Sequence, residues 1–243
     1  MRTRFIVAAA ILLMACGGSK NQAPTKVQTQ SALPPGSVDA LLAPVALYPD
    51  ALLAQILQCA QDPPKVTQLD QWLKANSSLK GTQLQDAALK AGFDPSFITM
   101  AVFPTVVAKM ADQISWTTLA GQAFTANRTA VFDAIQRLRK QAQDVGTLKT
   151  TAQQEVETKT TSSGNNVIVI EPANPQVVYV PQYNPEVVYT QAPTTTVVVQ
   201  EDNTDQVVAA GLIGFTAGIA MGSMMNNNYY YGSPYGWYGG AYM

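Results

Sequence analysis

The stretch LLAPVALYPDALLAQIL, residues 41–57, joins two helical patterns across a proline. Apolar residues recur at helical spacing before the break, at Val38, Leu41, Leu42 and Val45, and after it, at Leu53, Ile56, Leu57 and Ala60. Tyr48 precedes Pro49 and therefore avoids the helical conformation, while Asp50 can cap the helix that follows. The stretch predicts two short amphipathic helices that share one core.

The same pattern continues for about another ninety residues. Further helices are predicted at residues 64–74, 82–91, 94–102, 105–113 and 117–143. Asp94-Pro95 is typical of a capped helix start with proline at the first helical position, and Gly92 is typical of a helix end. Seven short helices with brief connections predict a compact all-α domain over residues 38–146.

After Gly146 the pattern changes to strands. Residues 153–160 and 166–172 are rich in β-branched residues and flank a Ser-Ser-Gly-Asn turn, which predicts a hairpin. The sequence NPQVVYVPQYNPEVVY follows at residues 174–189 and repeats the unit Asn-Pro-x-Val-Val-Tyr. It predicts two short edge strands, at 176–180 and 186–189, because the prolines lack backbone N–H groups.

The repeat allows two interpretations. Its valines and tyrosines can pack on the helical domain, with the Asn-Pro pairs setting the turns. Alternatively, Tyr179, Tyr183 and Tyr189 can face a partner, since tyrosine gives a large amphipathic contact area at low entropic cost.

The N-terminus predicts export and lipidation. Arg2 and Arg4 precede an apolar run too short to span a bilayer, which is typical of a signal peptide over residues 1–15. The run ends Leu-Met-Ala-Cys-Gly, a pattern typical of a bacterial lipobox with Cys16 as the lipidated residue. Residues 16–37 predict a flexible tether. We expect a bacterial envelope protein, lipid-anchored at the outer membrane and facing the periplasm, with Cys59 as a buried thiol.

A second apolar segment lies near the C-terminus. Residues 207–225 carry no charge, and as a helix they would span about 28 Å. Glycines recur on one helical face, at Gly211, Gly214, Gly218 and Gly222, a spacing that lets helices approach closely. The segment predicts a glycine-zipper helix for membrane association or self-association into a homo-oligomer. A docked or disordered tail is the alternative.

Four segments carry a family resemblance: LLAPVALYPDALLAQIL, FDPSFITMAVFPTVVAKM, VFDAIQRLRKQAQ and VVYVPQYNPEVVY. In this order they resemble the bacterial lipoprotein family catalogued as domain of unknown function 3300, over about 150 residues. The resemblance implies an envelope lipoprotein of Gram-negative bacteria whose tyrosine-proline segment is followed by a glycine-rich tail. It implies no activity.

The predicted fold class is α+β, with the helical domain followed by a small antiparallel β unit and an apolar glycine-zipper tail. The predicted organisation is a signal peptide at 1–15, lipidated cysteine and tether at 16–37, helical domain at 38–146, β unit at 147–192, linker at 193–206, glycine-zipper helix at 207–225 and Tyr/Gly-rich disordered tail at 226–243.

The amino-acid composition argues against several classes of protein function. The chain has no histidine, which excludes histidine-based triads and the commonest transition-metal sites. All fifteen Lys and Arg lie at or before Lys159, and no basic surface suggests nucleic-acid binding. We expect a solvated strand face at Glu155 and Glu157. We expect an exposed helix end at Arg137, Arg139 and Lys140.

We therefore expect a non-enzymatic envelope scaffold or interaction protein without cofactor or metal. One expected partner is the membrane, which Cys16 would contact through its lipid and residues 207–225 could contact directly. The other is an unknown envelope protein or polymer. The alternatives are a binding module that uses the repeat and a carboxylate-dependent enzyme acting on peptidoglycan.

Overall fold

The computed structural model describes residues 35–161, 164–190 and 213–220. In these ranges the chain is α+β, as predicted, with eight helices followed by short antiparallel strands. The helices are α1 Pro35–Leu42, α2 Asp50–Cys59, α3 Pro63–Ala75, α4 Gly81–Lys90, α5 Pro95–Met100, α6 Pro104–Asp112, α7 Ile114–Ala126 and α8 Arg128–Asp144. The strands are β1 Gln154–Thr160, β2 Asn166–Pro172, β3 Val177–Val178, β4 Pro181–Gln182, β5 Gly214–Phe215 and β6 Ile219–Ala220.

Proline sets several helix starts, as the sequence indicates. Four helices begin with proline, where a missing N–H costs no hydrogen bond: α1, α3, α5 and α6. Asp62 caps α3 by accepting a hydrogen bond from the backbone N of Lys65 at 3.2 Å. The predicted cap at Asp50 is wrong, because Pro49 holds the cap position and Asp50 is the first helical residue. Asp94 holds the cap position of α5 but makes no capping bond, and its carboxylate pairs with Lys65.

Two helix ends differ from the prediction. α1 stops at Leu42, short of Val45, because Pro44 cannot continue the ladder of helical hydrogen bonds. The single helix predicted over 117–143 is two helices, α7 and α8. Asn127 separates them: its backbone is extended, and its side chain caps α8 by accepting from the backbone N of Ala130 at 2.9 Å.

The β1–β2 hairpin is confirmed. The strands pair antiparallel from Gln154 opposite Pro172 to Thr160 opposite Asn166. Gly164 lies in the turn with a φ of 83°, a conformation that favours glycine. Along β2, the four residues 167–170 are buried, whereas β1 is largely exposed. The hairpin therefore packs on the helices through β2.

The repeat is only partly extended. Its first unit contains β3, and β4 follows at the next proline, but residues 185–190 form turns, so the strand predicted at 186–189 is wrong. The backbone N atoms of Val187 and Val188 both bond to the carbonyl oxygen of Asn184, which closes a turn instead of a ladder. Val178 and Val188 are buried, as the packing interpretation requires.

The glycine-zipper helix is wrong for the part of residues 207–225 that the structure describes. Residues 213–220 form two short strands: β5 pairs with β4, with Phe215 opposite Pro181, and β6 pairs with β3, with Ile219 opposite Val178. The repeat offers unpaired backbone groups to this segment, while glycine is among the poorest helix formers. A Cβ atom on Gly218 would lie 2.5 Å from Val177 Cγ1, so this glycine permits close packing on β3.

Other predictions fall outside the described residues. They are the signal peptide, Cys16, most of the tether, the linker at 193–206, Gly211, Gly222 and the tail at 226–243. No helix in the described ranges combines the length and hydropathy of a membrane-spanning segment.

Candidate functional site

The connection between α1 and α2, residues 43–49, runs through the hydrophobic core as a central loop. Its residues Val45, Ala46, Leu47 and Tyr48 are buried, although loops normally lie at the surface where water satisfies their backbone. Side chains from distant parts of the chain replace that water. Tyr183 Oη donates to the carbonyl oxygen of Ala43 at 3.0 Å and accepts from Leu47 N at 3.3 Å.

A fully buried ion pair holds the other side of this loop. Arg139 and Asp50 are 0% and 1% exposed, and Arg139 Nη1 lies 2.5 Å from Asp50 Oδ1. The guanidinium also donates to the carbonyl oxygens of Ala46 at 2.8 Å and Tyr48 at 3.1 Å. The expectation that Arg139 belongs to an exposed helix end is therefore wrong: its planar fork of donors joins α8 to the loop and to α2.

The outer edge of β2 is the edge that does not pair with β1. Within the described ranges, side chains bond to the backbone of this edge. Gln136 donates to the carbonyl oxygen of Ile168 at 3.1 Å and accepts from its N at 2.7 Å. Arg139 donates to the same carbonyl at 2.8 Å, and Asp50 accepts from Ile170 N at 3.4 Å. An open strand edge invites pairing with other chains, so these contacts both satisfy and protect the hairpin.

The three tyrosines that the sequence suggested as contacts for a partner, Tyr179, Tyr183 and Tyr189, have different surroundings. Tyr189 is 8% exposed, and its Oη donates to the Ala43 carbonyl at 2.6 Å. Tyr183 is half-buried, and burial raises the pKa of both phenols well above the usual value. Tyr179 is half-buried and packs edge-on against Phe215, with ring centroids 6.4 Å apart. Tyr183 and Tyr189 thus clamp the loop, which agrees with the packing interpretation.

A cavity of about 220 Å³ lies beside this clamp, between α6 and the repeat. Its apolar walls are Pro44, Val106, Val180 and Pro181. The polar residues of its lining are Tyr48, Thr105, Lys109, Gln182 and Tyr183. The fold builds it because α6 and β4 flank the same buried loop without closing on each other.

Two polar groups of the cavity lack partners among the described residues. Tyr48 is only 4% exposed, yet its hydroxyl makes no hydrogen bond with them, and burial raises its pKa to about 12. Lys109 is exposed as a residue and forms no ion pair with them, and desolvation by its surroundings lowers the pKa of its ammonium. Both groups can therefore donate to a ligand in the cavity that accepts hydrogen bonds.

Sequence reasoning missed Lys109. Its signal was available, because Lys109 follows Val106 by three residues on α6 and therefore borders the face that carries Val106 and Met110 into the core. The cavity itself depends on residues 180–183, which no helical pattern could place. In the described ranges, no group of three or more acidic or cysteine side chains could hold a metal ion.

Comparisons with known proteins agree with the resemblance seen in the sequence. The chain is 36% identical over 178 residues to "Uncharacterized protein YacH" of Escherichia coli (strain K12), which covers 62% of this chain and 29% of that protein. The match therefore spans under a third of the relative's length. No solved structure matches. The family model described as "Protein of unknown function (DUF3300)" matches residues 35–242, which include the loop, the ion pair, the repeat and the cavity. The chain belongs to this family.

Proposed function

We propose that this chain is a lipid-anchored, non-enzymatic binding protein of the bacterial envelope, and that the Tyr/Val/Pro repeat forms one wall of its ligand pocket. The observation that carries the proposal is the cavity between α6 and the repeat, where the Tyr48 hydroxyl and the Lys109 ammonium lack partners among the described residues. Ligand pockets combine apolar walls with a few polar groups that fix orientation, and this cavity has both.

A non-enzymatic role is supported by how the chain uses its chemistry-bearing residues. The sequence contains no histidine. Of the buried charged residues in the described ranges, Arg139 and Asp50 hold the central loop and the edge of β2, and Asp70 pairs with Lys74 at 2.7 Å. Glu155 and Glu157 are exposed on β1, and Glu157 pairs with Lys159 at 3.2 Å, as expected of a solvated face.

The binding proposal is tested with a variant that fills the cavity. Thr105 is exposed, lines the cavity and is the second residue of α6, so Thr105→Trp should block the space without disturbing the core. Ser115→Trp is the matched control, since Ser115 is exposed at the second position of α7 and does not line the cavity. The full-length chain in detergent is screened for thermal stabilisation by neutral, cationic and anionic small solutes.

A true ligand stabilises the folded state by mass action, about 2.7 kcal/mol at a hundredfold excess over Kd. We expect a class of solute that raises the Tm of the wild type and of Ser115→Trp but not of Thr105→Trp. Stabilisation that survives Thr105→Trp, or no stabilising class at all, would contradict the proposal.

The anchor is proposed from the lipobox. Acylation of Cys16 would hold the domain at the outer membrane, facing the periplasm, with residues 17–37 as tether. We expect Cys16→Ser to move the protein out of the membrane fraction, because several acyl chains are lost at about 0.8 kcal/mol per buried methylene. Fractionation of cells expressing either form measures this. Unchanged membrane attachment of Cys16→Ser would show that another segment anchors the chain.

A further inference from the structure

From the chemistry of the cavity we infer that its ligand is a small organic monoanion, a carboxylate with an apolar body. This inference rests on the proposed binding function and adds the class of ligand. Lys109 would pair with the carboxylate, and the Tyr48 hydroxyl would donate a second hydrogen bond to it.

The charge of the lining sets the charge of the ligand. Lys109 is the single cation among the described residues that line the cavity, and no acidic side chain is among them. An ammonium group on the ligand would therefore meet no counter-charge, which disfavours zwitterions such as amino acids. A dianion would have one of its two charges unpaired, whereas a monoanion is matched by one lysine.

The apolar walls and the volume of the cavity indicate the chemistry and the size of the rest of the ligand. Pro44, Val180 and Pro181 contribute apolar surface to the cavity lining. The cavity volume of about 220 Å³ lies below the roughly 300–1,000 Å³ that is typical of pockets for drug-sized ligands, so a short-chain acid is a suitable ligand.

The Tyr48 hydroxyl differs from the hydroxyls of the other tyrosines at the loop in its hydrogen bonding. The hydroxyls of Tyr183 and Tyr189 donate to the protein at Ala43, whereas the hydroxyl of Tyr48 bonds to no described residue and can donate to a ligand. Removal of the hydroxyl in Tyr48→Phe breaks no hydrogen bond to a described residue. Tyr48→Phe should therefore keep the wild-type Tm without ligand and bind the carboxylate several-fold more weakly.

The probe is butyrate, titrated into the full-length chain in detergent at constant ionic strength, with chemical shifts of the cavity residues as readout. Butyramide has the same shape without the charge, and 4-aminobutyrate adds an ammonium group. We expect butyrate to bind at least about tenfold more tightly than either, since a hydrogen bond to a charged group is worth about 1.5–3 kcal/mol. Lys109→Met should remove that preference, and Lys109→Arg should keep part of it.

Lys90→Met is the control for loss of one positive charge, because Lys90 is an exposed lysine of α4 that does not line the cavity. Equal binding of butyrate and butyramide, or unchanged binding by Lys109→Met, overturns the inference while cavity binding itself stands. A preference for inorganic phosphate over butyrate overturns the carboxylate assignment. If no solute binds and Thr105→Trp behaves like the wild type, the proposed function fails as well.

Discussion

At the scale of single residues, the fold depends on one charged side chain, that of Arg139, which is buried although it belongs to a basic run of α8. Arg139 lies between Leu138, which is buried, and Lys140, which is exposed, in the run Gln-Arg-Leu-Arg-Lys. Helical periodicity puts Arg139 four residues after Ile135, on the core face. The sequence therefore contained the position of Arg139 but not its partner, since Asp50 is 89 residues away in the chain.

Removal of the buried arginine should be far more damaging than removal of its exposed neighbour. Arg139→Met leaves Asp50 charged and buried without its cation, and we expect a loss of about 3–5 kcal/mol in the free energy of unfolding. Arg137→Met is the control, because Arg137 pairs with Asp39 on the surface and should cost at most about 1 kcal/mol. Urea denaturation measures both. Similar losses for the two variants would contradict the structural role given to the pair.

Cys59 should be chemically silent in the folded chain. It is 1% exposed, and burial, with further contributions from Asp62 and Asp94, raises the pKa of its thiol. The reactive thiolate is therefore depleted at any pH below that raised pKa. In Cys16→Ser, which leaves one thiol, we expect maleimide labelling at pH 8 to be on the order of a hundredfold slower or more than in urea. Rapid labelling of the native form would show that α2 opens.

At the scale of elements, local sequence signals predicted the helices and the hairpin, because neighbouring residues determine where these elements form. Proline starts, glycine stops and apolar spacing located the helices, and β-branched residues around a turn located the hairpin. The predictions failed where distant backbone decided the outcome. Residues 213–220 have helix-compatible glycine spacing, yet β3 and β4 offer them hydrogen-bond partners; Thr216 N donates to the Val180 carbonyl at 3.0 Å. The cavity escaped prediction for the same reason, since its walls are far apart in sequence.

Gly218 should control whether the 213–220 segment stays on the repeat. A methyl group in Gly218→Ala would meet Val177 Cγ1 at 2.5 Å and the Tyr179 ring at 2.9 Å, so these side chains or β6 must shift and the packing of β6 on β3 is weakened. We expect faster hydrogen exchange at Thr216 N, with protection of the β1–β2 hairpin unchanged. Ala217→Ser serves as the control, because Ala217 is exposed. If exchange at Thr216 is the same in both variants, close packing at Gly218 is not what holds the segment.

At the scale of the whole molecule, the hairpin and the helices share one set of polar contacts. Arg139, Gln136 and Asp50 join α8 and α2 to β2, and residues 167–170 of β2 enter the same core as the helices. A two-stranded hairpin alone is marginal in water, so β1 and β2 depend on this attachment. The helical domain and the β unit, which the sequence suggested as successive segments, therefore share one hydrophobic core.

Cooperative unfolding follows from that attachment. With increasing urea, we expect the far-ultraviolet circular dichroism of the helices and the exchange protection of Ile168 and Ile170 to be lost at the same midpoint. In Arg139→Met the two midpoints should separate, with the hairpin released first. Early loss of the hairpin in the wild type would contradict the cooperative unit.

The clamp on the central loop also fixes the order in which the chain can become native. The carbonyl oxygen of Ala43 bonds to Tyr183 and Tyr189, which lie 140 and 146 residues later. A chain that emerges from its N-terminus first therefore exposes the loop long before its partners arrive, and such distant contacts close slowly. Until Tyr183 has emerged, the domain lacks both hydroxyls of its clamp, and until Tyr189 has emerged it lacks one, so we expect the nascent chain to stay incompletely folded while most of its length is delivered.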